Sequence, residues 1–135
     1  MTSETPPLAP GLEARYERVV PLEWTIAHYD ARLPAVFSTP AMIGMMEMAA
    51  AQAVQPALPG GSITVGTRIE VDHLRAAPAG ATVVASAKLV EVNGRFLTFE
   101  VEARNGSEVI GRGRVFRAIV EHARFMQKAA TPSQP

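Results

Sequence analysis

Pro40-Ala41-Met42-Ile43-Gly44-Met45-Met46-Glu47-Met48-Ala49-Ala50-Ala51 is the stretch on which the fold turns. Alanine and methionine are strong helix formers, and a Ser or Thr just before a proline is a helix-start signal. The spacing predicts a helix from about Pro40 to about Leu58, with Ser38 or Thr39 as N-cap, Pro40 at the first helical position, and Pro59-Gly60-Gly61 as the stop. Met42, Met45, Met46, Ala49 and Ala53 form one stripe, and the opposite face is hardly more polar. A helix apolar nearly all round is a buried helix, so something must wrap it. Within it stands Glu47, the single ionisable side chain between Arg32 and Arg68. A carboxylate loses hydration if such a segment is buried, and that is costly unless a neighbour hydrogen-bonds it.

The wrapping is legible downstream. Ser62–Leu74, Thr82–Val92, Arg95–Asn105 and Glu108–Glu121 are rich in Val, Ile, Phe and Thr. Leu97, Phe99, Val101 and Ala103 alternate with Phe96, Thr98, Glu100 and Glu102, the period of a half-buried strand. Asn93-Gly94 and Asn105-Gly106 favour tight hairpins, and Pro78-Ala79-Gly80 marks a further break. Upstream, Arg15–Pro21 reads as a first strand, and Leu22 to Phe37 as irregular or partly helical. Gly111 and Gly113 share one face of the last strand and can admit a close neighbour. The expected architecture is α+β: an antiparallel sheet around one long central helix. One sheet and one helix leave an edge or a face open, which a second copy would close through a continuous sheet.

With 135 residues the chain makes one domain, expected over 13–128, with a Pro-rich flexible arm over 1–12 and a flexible tail over 129–135. Thirteen basic and thirteen acidic residues argue against nucleic acid as a partner. The absence of cysteine excludes disulfides, thiol nucleophiles and thiolate metal sites. Three scattered histidines lack metal-ligand spacing, so neither metal nor organic cofactor is expected. The opening residues do not resemble a signal peptide, and the Pro40–Ala57 run is short for a membrane span. The expectation is a cytoplasmic protein with no membrane partner.

Strand, buried helix and four-strand meander resemble the hotdog fold. Val36-Phe37-Ser38-Thr39-Pro40-Ala41-Met42-Ile43-Gly44-Met45-Met46-Glu47 is similar to the Thr- and Glu-bearing segment of the fluoroacetyl-CoA thioesterase group. Gly66-Thr67, Val71-Asp72-His73-Leu74 and Ala76-Ala77-Pro78-Ala79-Gly80 are similar to its catalytic-histidine segment. The resemblance runs from about Tyr16 to Phe125. It implies an acyl-CoA thioesterase, dimeric with a tetramer left open, whose substrate brings the only coenzyme. It further implies Thr39, Glu47 and His73 as catalytic residues, and Gly66, Phe37, Met42 and Met46 as substrate-binding residues. The fluoroacetyl-specific member has a longer stretch before the helix, with bulky residues that lid the pocket and read fluorine. Trp24 to Phe37 is shorter, so a short or otherwise small acyl group is the expectation, and fluorine selectivity is not carried over.

Thioester hydrolysis needs an activated nucleophile, a polarised carbonyl and a proton for the departing thiolate. Glu47 can activate water or attack the carbonyl to form an anhydride. His73 can shuttle a proton, since an imidazole exchanges one near neutral pH. Thr39 can orient water or the acyl group, while the helix N-terminus and the amide near Gly66 can face the thioester oxygen. Each has a plainer alternative: Thr39 as an N-cap, Glu47 bonded to an amide or an arginine, His73 satisfied by Asp72 or a carbonyl. His28 and His122 read as structural or exposed. Arg68, Arg75, Lys88 and Arg95 read as solvated strand charges, of which one or two can meet coenzyme A phosphates. Two rival functions stay open. One is a hotdog enoyl-thioester hydratase or dehydratase, although Asp72 and His73, successive in a strand, would face opposite ways. The other is a non-catalytic acyl-CoA-binding protein.

Overall fold

The computed structural model describes residues 5–132; the outermost residues of the expected arm (1–4) and tail (133–135) lie outside that range. The elements in order are β1 (Glu13–Val19), α1 (Thr39–Val54), β2 (Ser62–His73), β3 (Thr82–Asn93), β4 (Phe96–Asn105), β5 (Glu108–Glu121) and α2 (His122–Ala129). All five strands form one antiparallel sheet in the order β1-β3-β4-β5-β2. The sheet curls around α1, the arrangement expected of a hotdog fold.

The helix begins where the cap signal placed it, with one refinement. Ser38 is the N-cap, its Oγ accepting from the Ala41 amide at 3.2 Å, so Thr39 is the first helical residue and Pro40 the second. The helix ends earlier than Leu58. Pro56 has no N–H to give and its ring crowds the carbonyl four residues back, so after Val54 the chain tightens into a 3-10 turn over Gln55–Ala57. The stripe of Met42, Met45, Met46, Ala49 and Ala53 is buried as its spacing requires. The opposite face is not: Gly44 and Met48 are exposed, because one sheet covers only one side of a helix.

Leu97, Phe99, Val101 and Ala103 face the helix, together with Val83, Ala85, Ala87 and Leu89 of β3. The two hairpins use glycine at the first loop position. Asn93 still pairs with Phe96 and Asn105 with Glu108, while Gly94 and Gly106 take φ of 61° and 62°. β1 is shifted two residues upstream of the Arg15–Pro21 estimate; Pro21 offers no amide to a ladder, and Val20 already bonds to Ala81 beyond the strand. Leu8 and Leu12, in the segment read as an arm, pack against the core. α2 was not foreseen: eight residues, none buried, follow β5 without a break. Gly111 and Gly113 do admit neighbours: a Cβ at Gly111 would lie 2.5 Å from Met42 Sδ, and one at Gly113 would overlap the β2 backbone at Glu70.

Among the described residues no helix is long and apolar enough to cross a membrane.

Candidate active site

The site is built along one edge of the sheet. β2 is an edge strand paired only with β5, and a bulge at Thr67 interrupts that pairing between Gly66 and Arg68. Side chains alternate faces along a strand, so one extra residue reverses the parity. Before the bulge Thr64 and Gly66 face the helix; after it Ile69, Val71 and His73 do, as their pairing with Val115, Gly113 and Gly111 requires. Without the bulge Gly66 and His73, seven apart, would point to opposite faces. On α1, Thr39, Ile43 and Glu47 recur every four residues and present one stripe toward this edge.

Two polar pairs result. Thr39 Oγ1 lies 2.7 Å from His73 Nδ1. Because Ser38 takes the capping role, the Thr39 hydroxyl is free for that bond. His73 Nε2 is buried without a hydrogen-bond partner among the described residues. Glu47 makes no hydrogen bond to Thr39 or His73; its carboxylate stands against Gly66, where a Cβ would lie 2.8 Å from both oxygens. Oε1 accepts from Arg117 Nη1 at 2.8 Å. Arg117 is itself fixed, its Nε donating to Thr64 Oγ1 and its Nη2 to the Thr64 carbonyl, each at 2.8 Å.

Arg117 is the residue that sequence reasoning missed. Its partner is 70 positions away, but one signal was available: Gly113, Val115, Arg117 and Ile119 share the inward parity of β5, so an arginine stands among core positions. An inward arginine needs an anion, and Glu47 is the one carboxylate on the facing helix. The plainer alternative for Glu47, an arginine partner, therefore holds alongside any chemical role. The plainer alternatives for Thr39 and His73 do not, since neither is a cap or an Asp72 partner. Asp72 pairs across the ladder with Arg112 on the outer face of the sheet, away from His73.

Phe37, Met42 and Met46 are fully buried in the core cluster, Met42 against Gly111. The segment from Trp24 to Phe37 is pinned at its ends by a Thr25–Phe37 bridge and by the Ser38 amide on the Trp24 carbonyl. Its Trp24 and Tyr29 border a groove of about 510 Å³ with Ala41, Gly44, Met45 and Met48, on a different face of α1 from Thr39 and Glu47. A larger depression of about 980 Å³ on the outer sheet face holds Lys88 but none of the candidate catalytic or acyl-binding residues. Among the described residues no group of three or more His, Asp or Glu side chains could hold a metal ion.

A hydroxyl, an imidazole and a carboxylate lie on one helix–strand seam, and the fold around them is that of the hotdog thioesterases. A Thermus thermophilus thioesterase superfamily member has the same fold, with a TM-score of 0.84 and 28% identity covering 92% of each chain. A variant of the fluoroacetyl-CoA thioesterase, solved with fluoroacetate, superposes with a TM-score of 0.86 at 35% identity, covering 93% of this chain and all of the other. The fluoroacetyl-CoA thioesterase of Streptantibioticus cattleyicolor is 38% identical over 124 residues, 87% of this chain and 89% of the relative. The family model of fluoroacetyl-CoA-specific thioesterases matches residues 20–123, and the chain belongs to that family of thioester hydrolases.

Proposed function

We propose that this protein hydrolyses a short or otherwise small acyl-CoA to the free acid and coenzyme A. The observation that carries the reading is the Thr39–His73 hydrogen bond of 2.7 Å, on the same seam as a carboxylate held by Arg117. Eight helical residues separate Thr39 from Glu47, about 12 Å along the axis. Helical side chains lean toward the N-terminus, so the Glu47 carboxylate reaches back toward Thr39 and shortens that gap to one a thioester group can span.

The roles follow from the polar atoms each group has left. Glu47 gives Oε1 to Arg117, and Oε2 remains to activate a water or to attack the thioester carbon. Thr39 orients the His73 ring through Nδ1, which leaves Nε2 as the atom to hand a proton to the departing sulfur. The Gly66 backbone and the start of α1 supply dipoles for the developing oxyanion. Phe37, Met42 and Met46 support the substrate from below. The substrate brings the only coenzyme, and no metal is needed.

A homodimer with a continuous sheet belongs to the same reading, in a cytoplasmic setting. Gly66 through Glu70 of edge strand β2 are exposed, and pairing them with a second copy would roof the seam. The hydratase reading gains nothing from the structure's placement of Asp72 on the outer face.

Thiol release from a panel of acyl-CoAs, acetyl to long-chain, aryl and fluoroacetyl, tests the proposal. Turnover confined to small acyl groups is the expected result. No thiol release, with hydration of an enoyl-CoA instead, would overturn it in favour of the hydratase.

A further inference from the structure

Three contacts tie α1 and the turn that follows it to β2, and they fix how the two run past each other. Thr39 meets His73, Glu47 stands on Gly66, and the Gln55 side chain donates to the Ser62 carbonyl at 2.9 Å. From Glu47 to Gln55 the helix advances about 12 Å. The matching strand segment, Ser62 to Gly66, advances about 13 Å. There the two lie side by side. From Thr39 to Glu47 the helix again advances about 12 Å. The strand, however, spends seven steps between Gly66 and His73, about 20 Å even after the Thr67 bulge absorbs one. Between the same two contacts the strand therefore runs about 8 Å further than the helix. Along it Thr64 is buried, while Gly66, Thr67, Arg68, Ile69 and Glu70 are all exposed.

Between the two polar pairs the facing side chains on both elements are aliphatic. Ile43 is one helical turn from both Thr39 and Glu47 and is half-buried, yet stands outside the core cluster. Across from it the inward residues of β2 between Gly66 and His73 are Ile69 and Val71. A β-branched side chain that neither joins the core nor faces open solvent is placed to meet a ligand.

We infer that Ile43, with Ile69 opposite, sets the size of acyl group the site accepts, by filling the gap between the Thr39–His73 pair and Glu47. This rests on the hydrolase reading above. Each methylene a pocket admits or refuses is worth about tenfold or more in kcat/KM.

The test is kcat/KM for acetyl-, propionyl-, butyryl- and hexanoyl-CoA with wild type, Ile43→Ala, Ile43→Phe and Ile69→Ala, alongside thermal melts. Ile43→Ala and Ile69→Ala should raise the butyryl-to-acetyl ratio about tenfold, and Ile43→Phe should lower it by a similar factor. Met48→Ala, on the exposed face of the helix, should leave the ratio within about twofold. An active wild type whose ratio stays within about twofold in all the Ile43 and Ile69 variants overturns this inference alone. If the Ile43 variants do not fold, Ile69→Ala on the exposed strand decides by the same criterion. A wild type that releases no thiol from any of the four overturns it together with the hydrolase reading.

Discussion

Replacing Gly66 with alanine should separate stability from activity. The added Cβ would lie 2.8 Å from both Glu47 carboxylate oxygens and 3.2 Å from Cδ. To restore an ordinary contact of 3.4 Å the carboxylate must retreat about 0.6 Å. It cannot do so freely, because Oε1 is held by Arg117 and Arg117 is itself held by two bonds to Thr64. A retreat of that size stretches the 2.8 Å bond to the limit of hydrogen-bond geometry. A charged hydrogen bond is worth about 1.5–3 kcal/mol when lost, but this carboxylate is 30% exposed and water recovers much of it, leaving a cost of about 1 kcal/mol. Against that, Gly66 has no left-handed φ, so alanine is accepted by the backbone and gains about 0.4–1 kcal/mol through the unfolded chain. The net change in stability should be within about 1 kcal/mol. Activity should respond far more. Misplacing a reacting group by about 1 Å costs roughly a hundredfold, so kcat should fall by tens of fold. Urea melts and steady-state thiol release on one preparation measure both. A Gly66→Ala protein with kcat within about twofold of wild type would refute the placement of the reacting carboxylate against Gly66. A loss of more than about 3 kcal/mol would show that the backbone, not Glu47, gave way.

Other substitutions probe the remaining contacts. Arg117→Met should lower both stability, by about 2 kcal/mol, and kcat, since Glu47 and the Thr64 carbonyl lose their donor; Arg117→Lys should restore little of either in the same melts and assays, because a point charge cannot reproduce the three-way fork. Thr39→Val should reduce kcat roughly tenfold to a hundredfold with less than about 1 kcal/mol lost in a melt, because Ser38 still caps the helix, whereas Thr39→Ser should keep most activity. Gly111→Ala should destabilise by about 1–3 kcal/mol through overpacking, since its Cβ would lie 2.5 Å from Met42 Sδ, and Met42→Ala in the same chain should recover part of that loss in the melting temperature.

Much of the fold could be read from the chain because its signals were local. The strands of the meander end within a residue or so of their reading, since alternation and Asn-Gly pairs act over a few residues. The α1 start was legible in Ser38-Thr39-Pro40, and only the choice of cap needed the structure. Its end was misjudged by weighing Pro59-Gly60-Gly61 above Pro56. α2 escaped because a short, wholly exposed helix buries nothing and so leaves little apolar periodicity. Within the site, Glu47 drew notice as the one charge in an apolar helix, and Thr39 and His73 through the family resemblance. Their grouping into two pairs did not, because it depends on the Thr67 bulge, which carries no sequence mark of its own. Arg117 joins the site only through a strand register set by the whole sheet, a non-local fact.

The central claim is that Glu47 drives thioester hydrolysis on this seam, and its most direct test is thiol release by wild type and Glu47→Gln on acetyl- and fluoroacetyl-CoA. Glutamine keeps the shape and can still accept from Arg117, so the melt should move by less than about 2 kcal/mol. The account predicts a kcat at least a hundredfold below wild type on whichever substrate wild type turns over. A folded Glu47→Gln protein that keeps wild-type turnover would contradict it.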